Sequence, residues 1–244
     1  MEWIGLVLDR PGEAFGPSGA DSTAVAIINA STHGASVMNT RLPASRPARI
    51  LRDFRRFQNY DTSDRPRDFP PVGWAPVAPR IAVIGSCCSG KTTFAAELAE
   101  ILGVAHVELD ALHHGPNWRE ASAEELQARV DEALASLNGW VTDGNYMHKL
   151  GTRVIDEADM VVWLDLPLRT LLPRIYRRSR RRMRERVELW HPGNFETWRG
   201  IWVLSSYTIR THHRRRRYWP SRFQGKTVVR LRSSAEADAW LAGN

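Results

Sequence analysis

Ile81-Ala82-Val83-Ile84-Gly85-Ser86-Cys87-Cys88-Ser89-Gly90-Lys91-Thr92 is the stretch on which the rest of the chain turns. Three of its first four residues are β-branched, so it reads as a short buried strand that ends in a glycine turn. Residues 85–92 then fit G-x-x-x-x-G-K-[ST] at every fixed position. Beyond them, Phe94, Leu98, Ile101 and Leu102 recur at helical spacing, which predicts a helix over Thr92–Leu102. A strand, a glycine-bounded loop and a helix in this order curl successive backbone N–H groups around an anion, at the positive end of the helix dipole. Gly85, Ser86, Cys87, Cys88, Ser89, Gly90, Lys91, Thr92 and Thr93 are therefore the expected contacts of a nucleotide's phosphates. Lys91 would reach the β- and γ-phosphates, and the Thr92 hydroxyl would ligate Mg²⁺, which makes ATP with Mg²⁺ the expected cofactor.

Cys87 and Cys88 are the only cysteines in the chain. Being adjacent, they offer no disulfide that could staple the fold, which fits a reducing compartment. Adjacent thiols are also poor zinc chelators. Two readings of them stand: small side chains lining a tight loop, or a thiol acidified by a helix N-terminus and open to oxidation.

Outward from the loop the pattern stays regular. Val104–Leu109, Trp140–Thr142, Met160–Leu166 and Thr227–Leu231 read as further strands. Between them, Ala123–Leu137 reads as a helix with Leu126, Val130, Leu134 and Leu137 on one face, capped by Ser122 with Glu125 completing a capping box. Leu168–Arg178 starts a helix that runs into an arginine block, and Ser234–Leu241 closes the chain. Strands alternating with helices imply an α/β fold, a five-stranded parallel sheet covered by helices on both faces, and the loop motif makes the P-loop NTPase type the expected one. The domain is expected over residues 80–244.

Residues 1–79 differ. They hold nine of the fourteen prolines and sustain no long period, so they read as a poorly ordered Pro-rich extension, with a short amphipathic stretch at Ile50–Tyr60. Their Ala, Pro, Arg and Gly abundance also suits an over-long gene prediction, with Met38 as a later start. Charge is uneven along the chain of 244 residues. The net is +1 over 1–79, −7 over 80–169 and +13 over 170–244, giving +7 in all. The basic segment is a candidate site for phosphates, on a nucleotide or on nucleic acid. No apolar run approaches the ~20 residues of a membrane span, and none makes a signal-peptide core. A cytoplasmic protein is expected.

Three more segments follow the phosphate loop in order: Glu108-Leu109-Asp110-Ala111-Leu112-His113 with Pro116-Asn117-Trp118; Asp143-Gly144-Asn145-Tyr146; and Val162-Trp163-Leu164-Asp165-Leu166-Pro167. With the loop, they make residues 80–242 resemble the adenylate-kinase-like P-loop kinases, and within them the DNA topology modulation (FlaR-like) group. Cys88 departs from the glycine such loops often carry. Residues 1–79 have no counterpart in the resemblance.

The resemblance implies an ATP-dependent phosphotransferase and roles that also have physical grounds. Asp143 would hold a water of the Mg²⁺ shell, although Asp before Gly is equally a turn former. Glu108 and Asp110 share a face if their strand persists to that point. The resemblance places them at the phosphoryl acceptor, where Asp110 would orient the acceptor hydroxyl or take its proton; otherwise they are a solvated pair. Trp118, Asn145 and Tyr146 complete the expected acceptor contacts, with Trp118 or Tyr146 stacking on a planar base or simply packing. His113 and His114 make no metal site by themselves.

In the resembling family the arginine block is a lid, about 174–200 here. Arg174 and Arg178 lie one turn apart and would neutralise the transferred phosphoryl group. Arg180–Arg186 fit a lid or a solvated basic face equally, and Arg214–Arg217 with Tyr218 and Trp219 fit a single-stranded nucleic-acid patch or a solvated helix end. The acceptor reads as a small molecule: a nucleoside monophosphate or another hydroxyl- or phosphate-bearing metabolite. The alternative is a nucleotide-gated nucleic-acid binder. The oligomeric state is not legible.

Overall fold

The computed structural model describes residues 78–243. The readings of residues 1–77, the Pro-rich extension among them, lie outside the described residues.

Five strands form one parallel sheet: β1 (Arg80–Gly85), β2 (Ala105–Glu108), β3 (Trp140–Asp143), β4 (Met160–Leu164) and β5 (Thr227–Leu231). Their order is β2-β3-β1-β4-β5. β1 lies between β3 and β4, with Val83 opposite Asp143 and Gly85 opposite Leu164. The connections after β1 leave in opposite directions, so the carboxyl end of β1 sits at the crevice where such sheets bind ligands.

Successive residues of β1 face opposite layers. Ile81 and Val83 pack with Phe94 and Leu98 of α1 (Lys91–Leu102), Leu171 of α6 and Leu241 of α8. Ala82 and Ile84 pack on the other face with Leu126 and Val130 of α3 (Ala123–Ala135), Val154 of α5 (Arg153–Glu157) and Trp219 of α7. Here α6 spans Leu168–Arg184, α7 Trp198–Arg222 and α8 Ser234–Ala242. Two short helices, α2 (Leu109–His113) and α4 (Met147–Leu150), complete the set. The expected α/β architecture holds, with helices on both faces.

The capping box is present: Ser122 Oγ accepts from the Glu125 N–H, and the Glu125 carboxylate accepts from the Ser122 N–H. Two expectations need correction. β2 stops at Glu108, and Asp110 belongs to α2, so the two carboxylates share no strand face. Of the 25-residue helix α7 the sequence offers only a helix end at Arg214–Arg217, as one of two readings.

Candidate active site at the carboxyl edge of the sheet

The loop between β1 and α1 is built as its motif requires. Gly90 takes φ 95°, a left-handed value that glycine adopts without cost, and turns the chain into α1. Gly85 is packed so closely that a Cβ would come 2.5 Å from Ser89 Oγ and 2.7 Å from the Leu164 carbonyl oxygen. The Ser89 hydroxyl is buried with no hydrogen-bond partner. Lys91 Nζ donates to the Ser86 carbonyl at 3.2 Å, across the mouth of the loop. An unpartnered buried hydroxyl beside a lysine, at the N-terminus of α1, fits a phosphate.

Asp143, 2 % exposed, ends β3 beside the loop. Its Oδ2 accepts from the Thr92 hydroxyl at 2.6 Å, and its Oδ1 lies 3.0 Å from His106 Nε2. Thr92 and Asp143 thus meet as a hydroxyl–carboxylate pair, a hard-oxygen set of the kind Mg²⁺ takes with phosphate oxygens and water. Among the described residues no group of three or more His, Cys, Asp and Glu gathers as a protein-only metal cage.

His106 was missed in the sequence. The available signal was its place two residues before Glu108, on the same face of β2.

Asn145 commits its amide to the loop: Oδ1 accepts from the Gly85 N–H at 3.1 Å, and Nδ2 donates to the Gly85 carbonyl. It therefore fixes the start of the phosphate loop, a use the sequence did not suggest. Tyr146 donates its hydroxyl to Asp110 Oδ1 at 2.7 Å. Burial, then the charge of Asp110, push the Tyr146 hydroxyl upward, so it stays protonated as a donor. Glu108 is pushed up to about 7, first by burial and then by the charge of Asp143, with Trp190 working the other way.

Trp118 turns to the segment after α6. Its N–H donates to Asn194 Oδ1 at 2.5 Å and its indole N–H to the Phe195 carbonyl at 3.1 Å. Its ring meets His114 and Trp190 edge-on, with centroids 5.4 and 6.0 Å away. His113, 3 % exposed, points Nε2 to Glu120 at 3.5 Å.

The arginines separate. Arg178 Nη2 lies 3.8 Å from Cys87 Sγ and 3.6 Å from Glu196 Oε1, beside the loop. Arg174 instead donates to Ser234 Oγ at 2.6 Å, at the start of α8. The charge of Asp110 also acts on Cys87, so the α2 carboxylate and the phosphate loop are electrostatic neighbours.

Strand, loop and helix make this a P-loop α/β domain. No family model matches the chain. Shikimate kinase of Synechococcus elongatus is 30% identical over 105 residues, which cover 38% of this chain and 55% of that protein; a second Synechococcus shikimate kinase gives the same figures. The chain thus spans about half the length of the curated relatives it matches.

Among solved structures, the chain is similar to shikimate kinase from Acinetobacter baumannii in complex with shikimate, with a TM-score of 0.46, 19% identity and coverage of 67% of this chain and 88% of that one. It is also similar to a gluconokinase from Sinorhizobium meliloti, with a TM-score of 0.40, 19% identity and coverage of 68% and 91%. None of these carries the DNA topology modulation description.

Proposed function

We propose that the chain is an ATP-dependent kinase that moves a γ-phosphoryl group to a hydroxyl- or phosphate-bearing small molecule. One observation carries this reading. A phosphate loop with an unpartnered buried hydroxyl shares the sheet edge with the Thr92–Asp143 pair and with the Asp110 carboxylate held by Tyr146. The main-chain N–H groups after Gly85, up to residue 91, and the Lys91 ammonium hold the phosphates. Thr92 directly, and Asp143 through water, would hold Mg²⁺, whose chemistry is to neutralise phosphate charge.

Asp110 orients the acceptor hydroxyl and takes its proton. Arg178 faces the loop and offsets charge on the transferred group, while Arg174 anchors the same helix to α8. The segment from the second half of α6 through residue 200 is the lid, which excludes water. A cytoplasmic location belongs to the same reading.

The resemblance to the DNA topology modulation group suggests a nucleic-acid binder instead, with DNA affinity that falls steeply with salt. Carboxylates clustered opposite a P-loop serve phosphoryl chemistry, and nucleotide-gated DNA binding does not require them; on that ground the kinase reading is preferred.

Lys91→Ala tests the kinase reading. Acceptor-dependent ADP release is expected to fall by ~10³-fold or more, with the thermal unfolding midpoint unchanged. Turnover retained in the variant, with contaminating kinases excluded, would end it.

A further inference from the structure

The phosphate loop carries a chemistry that phosphate binding does not use. Cys87 and Cys88 are the only cysteines in the chain, and their sulfurs lie 3.9 Å apart. Both side chains are half-buried, so a small solute can reach them. Arg178 Nη2 lies 3.8 Å from Cys87 Sγ. The charges of Arg178 and Lys91 favour a thiolate at either sulfur, and Asp110 opposes them at Cys87. A loop of this kind holds phosphates by main-chain N–H groups and needs no sulfur at either place.

The two thiols are not equivalent. Cys87 is lowered, first by the Cys88 contact and then, against burial, by Arg178 and Lys91. Cys88 is raised by the same contact, by burial and by the charge of Cys87. Two of those three causes end once Cys87 loses its negative charge, while Arg178 and Lys91 still favour a Cys88 thiolate. Cys87 is therefore placed to react first, and its reaction readies Cys88 to follow.

We infer that Cys87 and Cys88 form a modification site for hydroperoxides, in which Cys87 is oxidised and Cys88 closes on it as a disulfide between neighbours. The Cys87 thiolate attacks one peroxide oxygen, an S–O bond forms, the O–O bond breaks, and the departing hydroxide takes a solvent proton to become water. The Cys88 sulfur then attacks the Cys87 sulfenic acid. The S–S bond forms, the S–O bond breaks, and the hydroxide leaves as water with the proton that Cys88 gives up. The two sulfurs together lose two electrons, and the peroxide gains them.

The bridge has a consequence for the loop. Neighbouring Cα atoms are ~3.8 Å apart, inside the ~4.4 Å lower bound of ordinary disulfides. The sulfurs must close from 3.9 Å to ~2.05 Å. Cys88 already holds φ 58°, a left-handed value uncommon for a residue with a side chain. Closing the ring turns the peptide unit between the two residues and re-aims N–H groups that the phosphates need, so the bridged loop loses its grip on ATP. This consequence rests on the phosphate-loop part of the kinase reading; the bridge itself does not.

The test uses the full chain, reduced and desalted, with a small molar excess of hydrogen peroxide at neutral pH. Trypsin leaves both cysteines on one peptide, residues 81–91. That peptide is expected to lose two hydrogens and both iodoacetamide sites, and to regain them with dithiothreitol. Cys88→Ser should halt at a Cys87 sulfenic acid, which dimedone traps, and Cys87→Ser should leave Cys88 reduced at the same dose. Calorimetry should show the affinity for ATP with Mg²⁺ falling about tenfold or more in the bridged protein and returning on reduction.

A peptide that peroxide leaves unchanged overturns the inference. So does oxidation of Cys87 past the sulfenic acid without a bridge, a disulfide that joins two chains, or oxidation of Cys88 in the Cys87→Ser variant as fast as in the native chain. A bridged loop that binds ATP as tightly as the reduced one overturns the consequence. Reduced protein that binds no ATP would instead strike at the kinase reading, with the bridge still read by mass.

Discussion

Cys87 is where the phosphate loop departs most in chemistry from a glycine-rich turn. Its sulfur lies 3.9 Å from that of Cys88, so one thiol can share its proton with the other's thiolate. That contact, together with the positive charges of Arg178 and Lys91 and against the opposing effect of burial, lowers Cys87 from 9.0 to about 6, while Cys88 is pushed up by the same contact. Between these two values Cys87 is therefore ionised at pH where an ordinary thiol is not. Iodoacetamide labelling of the nucleotide-free protein, read by peptide mass spectrometry, should rise with a midpoint near pH 6 at Cys87 and spare Cys88. ATP with Mg²⁺ should slow it, because phosphates would compete for the same lysine and arginine. A Cys87 midpoint near pH 9 would show that neither the Cys88 contact nor the two cations lower the thiol.

The segment after α6 and the loop after α2 behave as one element although they are far apart in sequence. Asn194 is fully buried and bridges the Trp118 N–H and the Gly115 carbonyl. Asn117, Trp118 and Trp190 all take positive φ, 53°, 59° and 57°, which for bulky tryptophans is strained backbone held by its surroundings. Asn194→Ala removes both bonds and leaves two backbone groups unpartnered, a local cost of about 2–3 kcal/mol. Hydrogen exchange should accelerate over residues 113–119 and 189–195 and stay unchanged in β1 and β4; uniform protection would refute the clasp. None of this was legible in the sequence, because its bonds join residues such as Trp118 and Asn194 that no local pattern links. Local features were legible: the phosphate loop, the Ser122–Glu125 box and the five strands each rest on neighbours within a few residues. Helix α7 escaped because its buried stripe, Ile201, Thr208, His212 and Trp219, is half polar. Trp198, Trp202 and Ile209 face solvent, while Thr208 and His212 are buried. Asp110 was misplaced because β2 gives way at once to α2, where buried Leu109 packs against Gly144, whose φ of 146° and close contact leave no room for a side chain.

Across the whole domain, the acidic stretch of 80–169 and the basic stretch of 170–244 are folded onto each other, and Asp165 is where they join most tightly. It follows β4, is 4 % exposed, and accepts from Arg216 of α7 at 2.7 Å and from both Nε and Nη2 of Arg230 of β5 at 2.9 and 2.5 Å. Arg230 also lies over the ring of Trp163, its neighbour across the β4–β5 pair, at 4.2 Å. One carboxylate thus ties the last strand and the longest helix to the centre of the sheet, and it spends part of the basic surplus on the fold instead of on a surface partner. Removing it strands two guanidinium groups. A fully buried pair broken in this way costs about 3–5 kcal/mol, but both arginines are about a third exposed and water takes up part of their charge. Asp165→Ala is therefore expected to cost about 2–3 kcal/mol in urea unfolding. Arg216→Ala should cost less, since Arg230 keeps Asp165 paired, and the double variant should cost less than the sum of the two, because the interaction is already lost. Strict additivity, or an Asp165→Ala cost below about 1 kcal/mol, the range of an exposed pair, would mean that α7 is held by its Trp219–Trp163 packing alone.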